Sequence, residues 1–490
     1  MSNDWFTWTV LGGLLLWAVD FCIKLAAVGI VPGNRKPSAA MAWLIVILIV
    51  PFAGLFLFLM LGRTDIGRRR LSRQREAEAA MRVATDRLAD VAPVPADHPV
   101  YLRSAATLCA NLGSLPLQVG NRVTLYTGYD ESIAAMTREV TGAEQSVDVE
   151  FYIAAWDEET DAFFEALRAA TDRGVEVRLL FDHLGSRGIP GNKQFVERLA
   201  QTTIRWQAML PLNPLKGQFR RPDLRNHRKI LVVDGRVAFT GSQNMIEAGY
   251  DKPKNHAVGR RWVELMARIE GPSVAALRAV FAADWYSETG ERLGERITAD
   301  AVPPHPDGVA AQVLPSGPGY ATENNLRLFA ALIYSAQRRV SLTSPYFVPD
   351  EPLLYAVTTA ALRGVDVELF VSEEGDQFMV HHAQCSYYEA LLRAGVRIFL
   401  YPAPAVLHSK HFSIDDDVAV IGSSNMDMRS FALNYEVSTM LTGGDIVRRF
   451  RAVEDGYRSR SRELTLDEWA GRSRRQRYLD NAMRLTAALQ

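Results

Sequence analysis

A chain of 490 residues, 48% hydrophobic and 23% charged, is long enough for two or three domains with full cores. The formal net charge of −1 excludes a global pull toward nucleic acid, so an anionic partner has to be met by local patches. Cys22, Cys109 and Cys385 make no disulfide framework and are not spaced for a metal site.

The first elements are apolar. Trp5 to Val31 is mostly so, and Ala39 to Leu61 almost wholly so, each near the roughly 20 residues a membrane-crossing helix needs. Asp20 and Lys24, four apart in the first stretch, share a helix face and can pair. A signal peptide is excluded, because there is no basic leader and no small-residue cleavage site. Pro51 is expected to kink the second span. Arg63, Arg68, Arg69, Arg70, Arg73 and Arg75 follow it, against Arg35 and Lys36 between the spans. The larger cluster should stay in the cytoplasm, which predicts a multi-pass anchor with both termini inside. Those arginines either set topology alone or also hold the chain against anionic head groups.

Leu71 to Leu88 reads as a polar helix, and Pro93, Pro95 and Pro99 mark a linker. Two copies of one α/β plan follow. In the first, strand Ser146 to Ile153 precedes a helix from Thr160 to Arg173, Gly174 and strand Val175 to Phe181. In the second, strand Arg339 to Phe347 precedes a helix ending at Arg363, Gly364 and strand Val365 to Val371. The expected divisions are residues 1–62 as a membrane hairpin and 63–99 as basic helix and linker. Residues 100–300 and 301–490 form the two repeats. Strands alternating with helices predict a mixed or largely parallel sheet covered on both faces. A pseudo-two-fold between the halves would bring their equivalent residues to one interface.

Each repeat then carries the same polar skeleton. His227, Lys229, Asp234, Gly241, Ser242 and Asn244 recur as His408, Lys410, Asp415, Gly422, Ser423 and Asn425 with every spacing kept. In an extended segment a histidine and a lysine two apart share a face. A turn at Asp234 and Gly235 returns the chain, and Gly241 leaves it able to approach other backbone closely. Imidazole, ammonium and amide together suit a phosphate group. One neutral imidazole can attack phosphorus while a second, protonated, delivers a proton to the departing alkoxide, and this needs no metal. Lys229, Lys410, Asn244 and Asn425 would hold the non-bridging oxygens. Glu264 and Glu436 are candidates to fix the histidine tautomers, with ordinary ion pairs as the alternative. Asp234 and Asp415 belong to the motif but are expected to hold the hairpin turns. The adjacent His381 and His382 would diverge on a helix, and His411 should face away from Lys410. All three read as structural. The stretch Pro211 to Arg225 is either a lip over the site or a solvated connection, and the basic tail from Asp445 to Gln490 reads as a closing element.

The motif HxKxxxxD followed by GSxN resembles the phospholipase D superfamily. The apolar start, with Arg35, Pro37, Trp43, Pro51 and Gly54, and the runs Gly241 to Met245, Arg268 to Pro272, Pro315 to Pro318 and Thr343 to Phe347 look more narrowly like bacterial cardiolipin synthases. Glu264, where an aspartate is commoner, and the run Gln201 to Asn213 depart from that pattern. The resemblance implies a fold of two phospholipase D-like α/β/α repeats and an acidic partner for each catalytic histidine. It implies a phosphohistidine reaction between two phosphatidylglycerol molecules, with His227 as nucleophile and His408 as acid and base, without cofactor or metal. The partners implied are phosphatidylglycerol and an anionic phospholipid bilayer, not nucleic acid, and the place is the bacterial inner membrane with the catalytic part facing the cytoplasm. Hydrolysis to phosphatidic acid, or phosphatidylethanolamine as co-substrate, are the alternatives. The oligomeric state is not legible.

Overall fold

The structure is a computed structural model that describes residues 3–33, 35, 37–62, 66–86, 99–212, 221–293 and 303–486. Arg63, Lys36, Pro93, Pro95, the end of the helix expected to Leu88, and residues 213–220 of the expected lip lie outside the described residues. The chain forms two compact units, Met1–Asp65 and Ile66–Gln490.

In the first unit, helix Asn3–Ile30 contains an apolar run, Trp8–Ile30, long enough to cross a bilayer. Asp20 and Lys24 pair on it at 2.8 Å, as their spacing predicts. The second expected span differs. It is two short helices, Pro37–Ile49 and Pro51–Leu61, parted at Val50, whose φ of −131° is not helical. Pro51 cannot accept the α conformation in its predecessor, so a new helix starts with proline in its first turn. Gly54 lets the two helices close up, since a Cβ there would lie 2.7 Å from the Val46 carbonyl oxygen. Arg35 donates to the carbonyls of Val31 at 2.8 Å and Gly62 at 2.9 Å, and its guanidinium lies over Phe58. Both ends of the apolar pair are thereby held at one place. Among the described residues one helix has spanning length.

Among the described residues the second unit is built on one connected set of sixteen strands whose order mirrors about its centre. Strand Val309–Ser316 pairs antiparallel with Gln118–Tyr126 on one side and with Asn434–Thr442 on the other. Outward from there each half repeats the same sequence of partners. In the first half these are Met266–Glu270, then the hairpin Lys229–Val233 and Val237–Gly241, then Ser146–Phe151, Glu176–Asp182 and Arg205–Met209. The three outer strands run parallel and the central ones antiparallel, so the sheet is mixed. In the second half the expected long strand stops at Thr343 and resumes only at Phe347 and Val348, interrupted at Pro345.

Helices cover both faces. Leu231 and Val233 join Phe163, Phe164 and Leu167 in one core, while Ile230 and Val232 join Leu277 and Val280 in another. The run between Lys229 and Asp234 is apolar at every position because both its faces are buried. Each of those fully buried side chains contributes about 1.5–3 kcal/mol. Helix Arg68–Asp86 packs against helix Ser273–Thr289. This corrects the reading of the arginine cluster. Arg70 is buried and pairs with Glu288, and Arg73 donates to the Ser287 carbonyl over the Tyr286 ring. Only Arg68, Arg69 and Arg75 of the described cluster stay exposed.

Candidate active site

Two short strand pairings across the centre bring the repeated motifs together. Arg225–Asn226 pairs in parallel with Asn434 and Tyr435, and the His227 N–H donates to the Tyr435 carbonyl at 2.8 Å. In mirror image, Val406–Leu407 pairs with Trp262 and Val263, and the His408 N–H donates to the Val263 carbonyl at 2.8 Å. One residue further along each receiving strand stands a glutamate. His227 Nδ1 lies 3.1 Å from Glu436 and 3.0 Å from the Ser423 carbonyl, and His408 Nδ1 lies 2.7 Å from Glu264. Each histidine therefore takes its carboxylate from the opposite half. A carboxylate on Nδ1 holds the proton there and leaves Nε2 as the nitrogen free to react.

The serines act on the carboxylates. Ser242 donates to Glu264 and accepts the Leu265 N–H at 3.0 Å, while Ser423 donates to Glu436 and accepts the Val437 N–H at 3.0 Å. The preceding glycines allow this approach. A Cβ on Gly241 or Gly422 would lie 2.3 or 2.2 Å from the carbonyl oxygen of Leu265 or Val437. The close approach expected at Gly241 is thus to a neighbouring strand.

Lys229 and Lys410 are buried and donate to the carbonyls of their own histidines at 2.6 and 2.7 Å. Lys410 Nζ also lies 3.1 Å from His408 Nε2. Asn244 accepts the Ile153 N–H at 3.2 Å and donates to the Tyr250 hydroxyl at 2.7 Å. Asn425 is equally buried, yet its Oδ1 has no hydrogen-bond partner among the described residues. The motif aspartates, grouped by their motif with the reacting side chains, do not reach them. Asp234 accepts the N–H groups of Glu144, Gln145 and Ser146, and Asp415 those of Gln337, Arg338 and Arg339, a strand's length from the histidines.

Burial sets the electrostatics. It pushes the His227 ring well below its ordinary pKa, and the charges of Lys229 and Lys410 push the same way. His408 is also lowered by burial, with Glu264 opposing. Lys229 falls well below the usual range through burial and the Lys410 charge, and burial brings Lys410 to about 8. The carboxylates differ. Burial would raise Glu264, but His408, Lys410 and Ser242 outweigh it and hold the group below its usual value. Burial prevails at Glu436 and raises it to about 7. One histidine thus faces a firmly ionised carboxylate and the other a group that titrates near neutrality.

Several side chains around the site have no signal in the repeated motif. Tyr152 stands edge-on to His227 with centroids 4.9 Å apart, and Tyr346 to His408 at 6.4 Å. Tyr250 is six residues after Asn244, but the same offset from Asn425 gives Phe431, so comparing repeats hides it. Arg228, between His227 and Lys229, is fully buried, donating to the Glu436 and Ser316 carbonyls and pairing with Asp284. The other histidines have local partners. His382 binds Asp480 at 2.7 Å, His381 accepts the Gly375 N–H, and buried His411 packs on Phe450 and Tyr457. The described end of the expected lip is packed as well: Leu224 is buried with Ile66 and Leu433, and Arg225 pairs with Asp182. Among the described residues no group of three or more His, Cys, Asp or Glu is placed to hold a metal ion.

Residues 136–285 and 329–454 match the family described as cardiolipin synthase, PLD-like domain, and residues 13–63 match the phospholipase D-nuclease N-terminal family. Cardiolipin synthase A of Pectobacterium carotovorum subsp. carotovorum (strain PC1) is 33% identical over 485 residues, covering 96% of this chain and 97% of that one. Cardiolipin synthase A of Proteus mirabilis (strain HI4320) is 32% identical, covering 95% and 97%. Among solved structures, phosphatidylserine synthase of Haemophilus influenzae Rd KW20 superposes with a TM-score of 0.58 at 14% identity over 78% of this chain and 99% of that one, a likeness of fold.

Proposed function

The chain belongs to the phospholipase D-like family of cardiolipin synthases, and from that premise we propose how its residues carry out phosphatidyl transfer. The protein is a phosphatidyltransferase that acts on phospholipids. In the first step His227 Nε2 attacks the phosphorus of one phosphatidylglycerol. The bond to the glycerol head oxygen breaks, and His408, protonated, gives that oxygen its proton. In the second step the terminal hydroxyl of another phosphatidylglycerol loses its proton to His408 and attacks phosphorus. The phosphorus–nitrogen bond breaks and cardiolipin leaves. Lys229, Lys410, Asn244 and Asn425 hold the non-bridging oxygens through both steps.

The observation that carries this reading is the exchange of carboxylates, each on Nδ1, which leaves Nε2 as the reacting nitrogen of both rings, that of His408 beside Lys410 Nζ. The assignment of roles rests on its asymmetry. His408, against ionised Glu264, is suited to take and return a proton, and His227, buried between lysines, is suited to remain neutral and attack. Rapid quenching of the enzyme in denaturant at mildly alkaline pH, where a histidine phosphoramidate survives, with phosphatidylglycerol labelled in its phosphatidyl group, followed by peptide mapping at the same pH, tests it. Label on His227 is expected, and label on His408 would reverse the roles. Product analysis in the same mixture is expected to give cardiolipin and glycerol, whereas phosphatidic acid as main product would make the enzyme a hydrolase.

The protein is membrane-associated. Its place is proposed as the bacterial inner membrane, with the exposed Arg68, Arg69 and Arg75 favouring the cytoplasmic side for the catalytic unit.

A further inference from the structure

The last helix, Arg474–Arg484, has no part in the chemistry above. Its Met483 packs against the core and its Arg484 lies over the Tyr387 ring. Among the described residues its one fully buried side chain is Asp480, which accepts from His382 Nδ1 at 2.7 Å and pairs with Arg472. That exhausts its negative charge. Arg474, Arg475 and Arg477 are exposed and have no carboxylate within ion-pair distance among the described residues. Among these cations stand apolar side chains in water: Tyr478 is 78% exposed and Leu485, two turns on, 87%. Phe378, 64% exposed, stands on the neighbouring helix, its ring 4.5 Å from that of His382. The start of that neighbouring helix leads to the site. Gln377, next to Phe378, donates to the Tyr346 hydroxyl at 2.8 Å, and the Tyr346 ring stands against His408.

We propose that this face docks on an anionic phospholipid bilayer, the leaflet from which the lipid substrate enters; the proposal rests on the phosphatidyl-transfer reading. Arginines interleaved with aromatic and aliphatic side chains fit the boundary between head groups and acyl chains, where guanidinium meets phosphate and the apolar groups enter the hydrocarbon edge. The concentration of one sign of charge stands out in a chain whose net charge is −1. A second copy is a poorer occupant, since a two-fold contact on this face would set like charges against each other.

The test uses the full chain in nanodiscs. Tyr478→Cys in a Cys22→Ser background is labelled with a nitrobenzoxadiazole probe, the remaining cysteines being buried. With phosphatidylglycerol present the emission is expected to shift to the blue and to be quenched by lipids spin-labelled near the head group. In phosphatidylcholine alone both effects should be weaker. In parallel, R474E/R475E/R477E is expected to raise the apparent KM for vesicle phosphatidylglycerol at least about tenfold, with turnover of a soluble short-chain phosphatidylglycerol kept. A probe that stays in water in anionic nanodiscs, equal loss of both activities, or shielding that follows protein concentration in detergent would overturn the proposal. The probe needs no turnover, so a failure of the phosphatidylglycerol reading would show in the product analysis and leave the probe result standing.

Discussion

His227, His408 and Lys410 place the two limbs of the pH profile at the residue scale. Activity should fall as pH drops through the lowered His227 pKa, below the ordinary histidine range, because the attacking ring then becomes charged. It should fall again as pH rises, first through the lowered His408 pKa, where the acid of the first step loses its proton, and further through about 8, where Lys410 loses its charge. The logarithm of kcat against pH, measured in detergent, checks both limbs, and an alkaline limb near 10 would contradict the burial of Lys410. At Tyr250 the hydroxyl takes one Asn244 proton and orients its amide, so Tyr250→Phe is expected to lower kcat about tenfold while KM stays near wild type. Phe431→Tyr, the reciprocal change, should have no such effect. The histidines, lysines and asparagines that the fold brings together were legible in the sequence because they recur twice at fixed spacing. Tyr250 was not, because its partner arises from a chain path with two successive left-handed residues, Tyr250 and Asp251, that only the fold reveals.

Two elements behave differently from their simplest reading. The motif hairpin turns on Asp234 and Gly235, both with positive φ, and the Asp234 carboxylate ties the turn to the start of strand Ser146–Phe151. Asp234→Ala leaves those N–H groups without an acceptor and an alanine in a left-handed conformation. A loss of about 2–4 kcal/mol is expected as a lower thermal midpoint, with little change in kcat of the folded fraction. The apolar pair Pro37–Ile49 and Pro51–Leu61 folds back so that Arg35 grips both ends. Gly33→Cys and Leu61→Cys should therefore react with an impermeant maleimide from the same face of the membrane, and opposite faces would restore a second crossing. Hydropathy counts how well a segment tolerates lipid. It does not register the turn at Val50, which depends on Pro51 and on the missing side chain of Gly54.

Over the whole molecule the mirrored sheet decides how the site is assembled. The alternation of strand and helix made the two half-sheets legible in the sequence. The exchange of glutamates was not, because it depends on pairings between segments far apart in the chain, such as Asn226 with Tyr435. Glu264 and His408 should consequently behave as one unit although they belong to different halves. Glu264→Gln is expected to lower kcat strongly alone and to add almost nothing to His408→Ala, and equal effects in both backgrounds would separate them. The same exchange orders events on the ribosome. His227 emerges long before Glu436, 209 positions later, has been polymerised. A nascent chain carrying only the first half therefore holds a histidine without its tautomer-fixing partner, beside membranes full of substrate. Phosphatidyl capture is accordingly expected only once translation is nearly complete, and a truncated first half is expected to take up no lipid label.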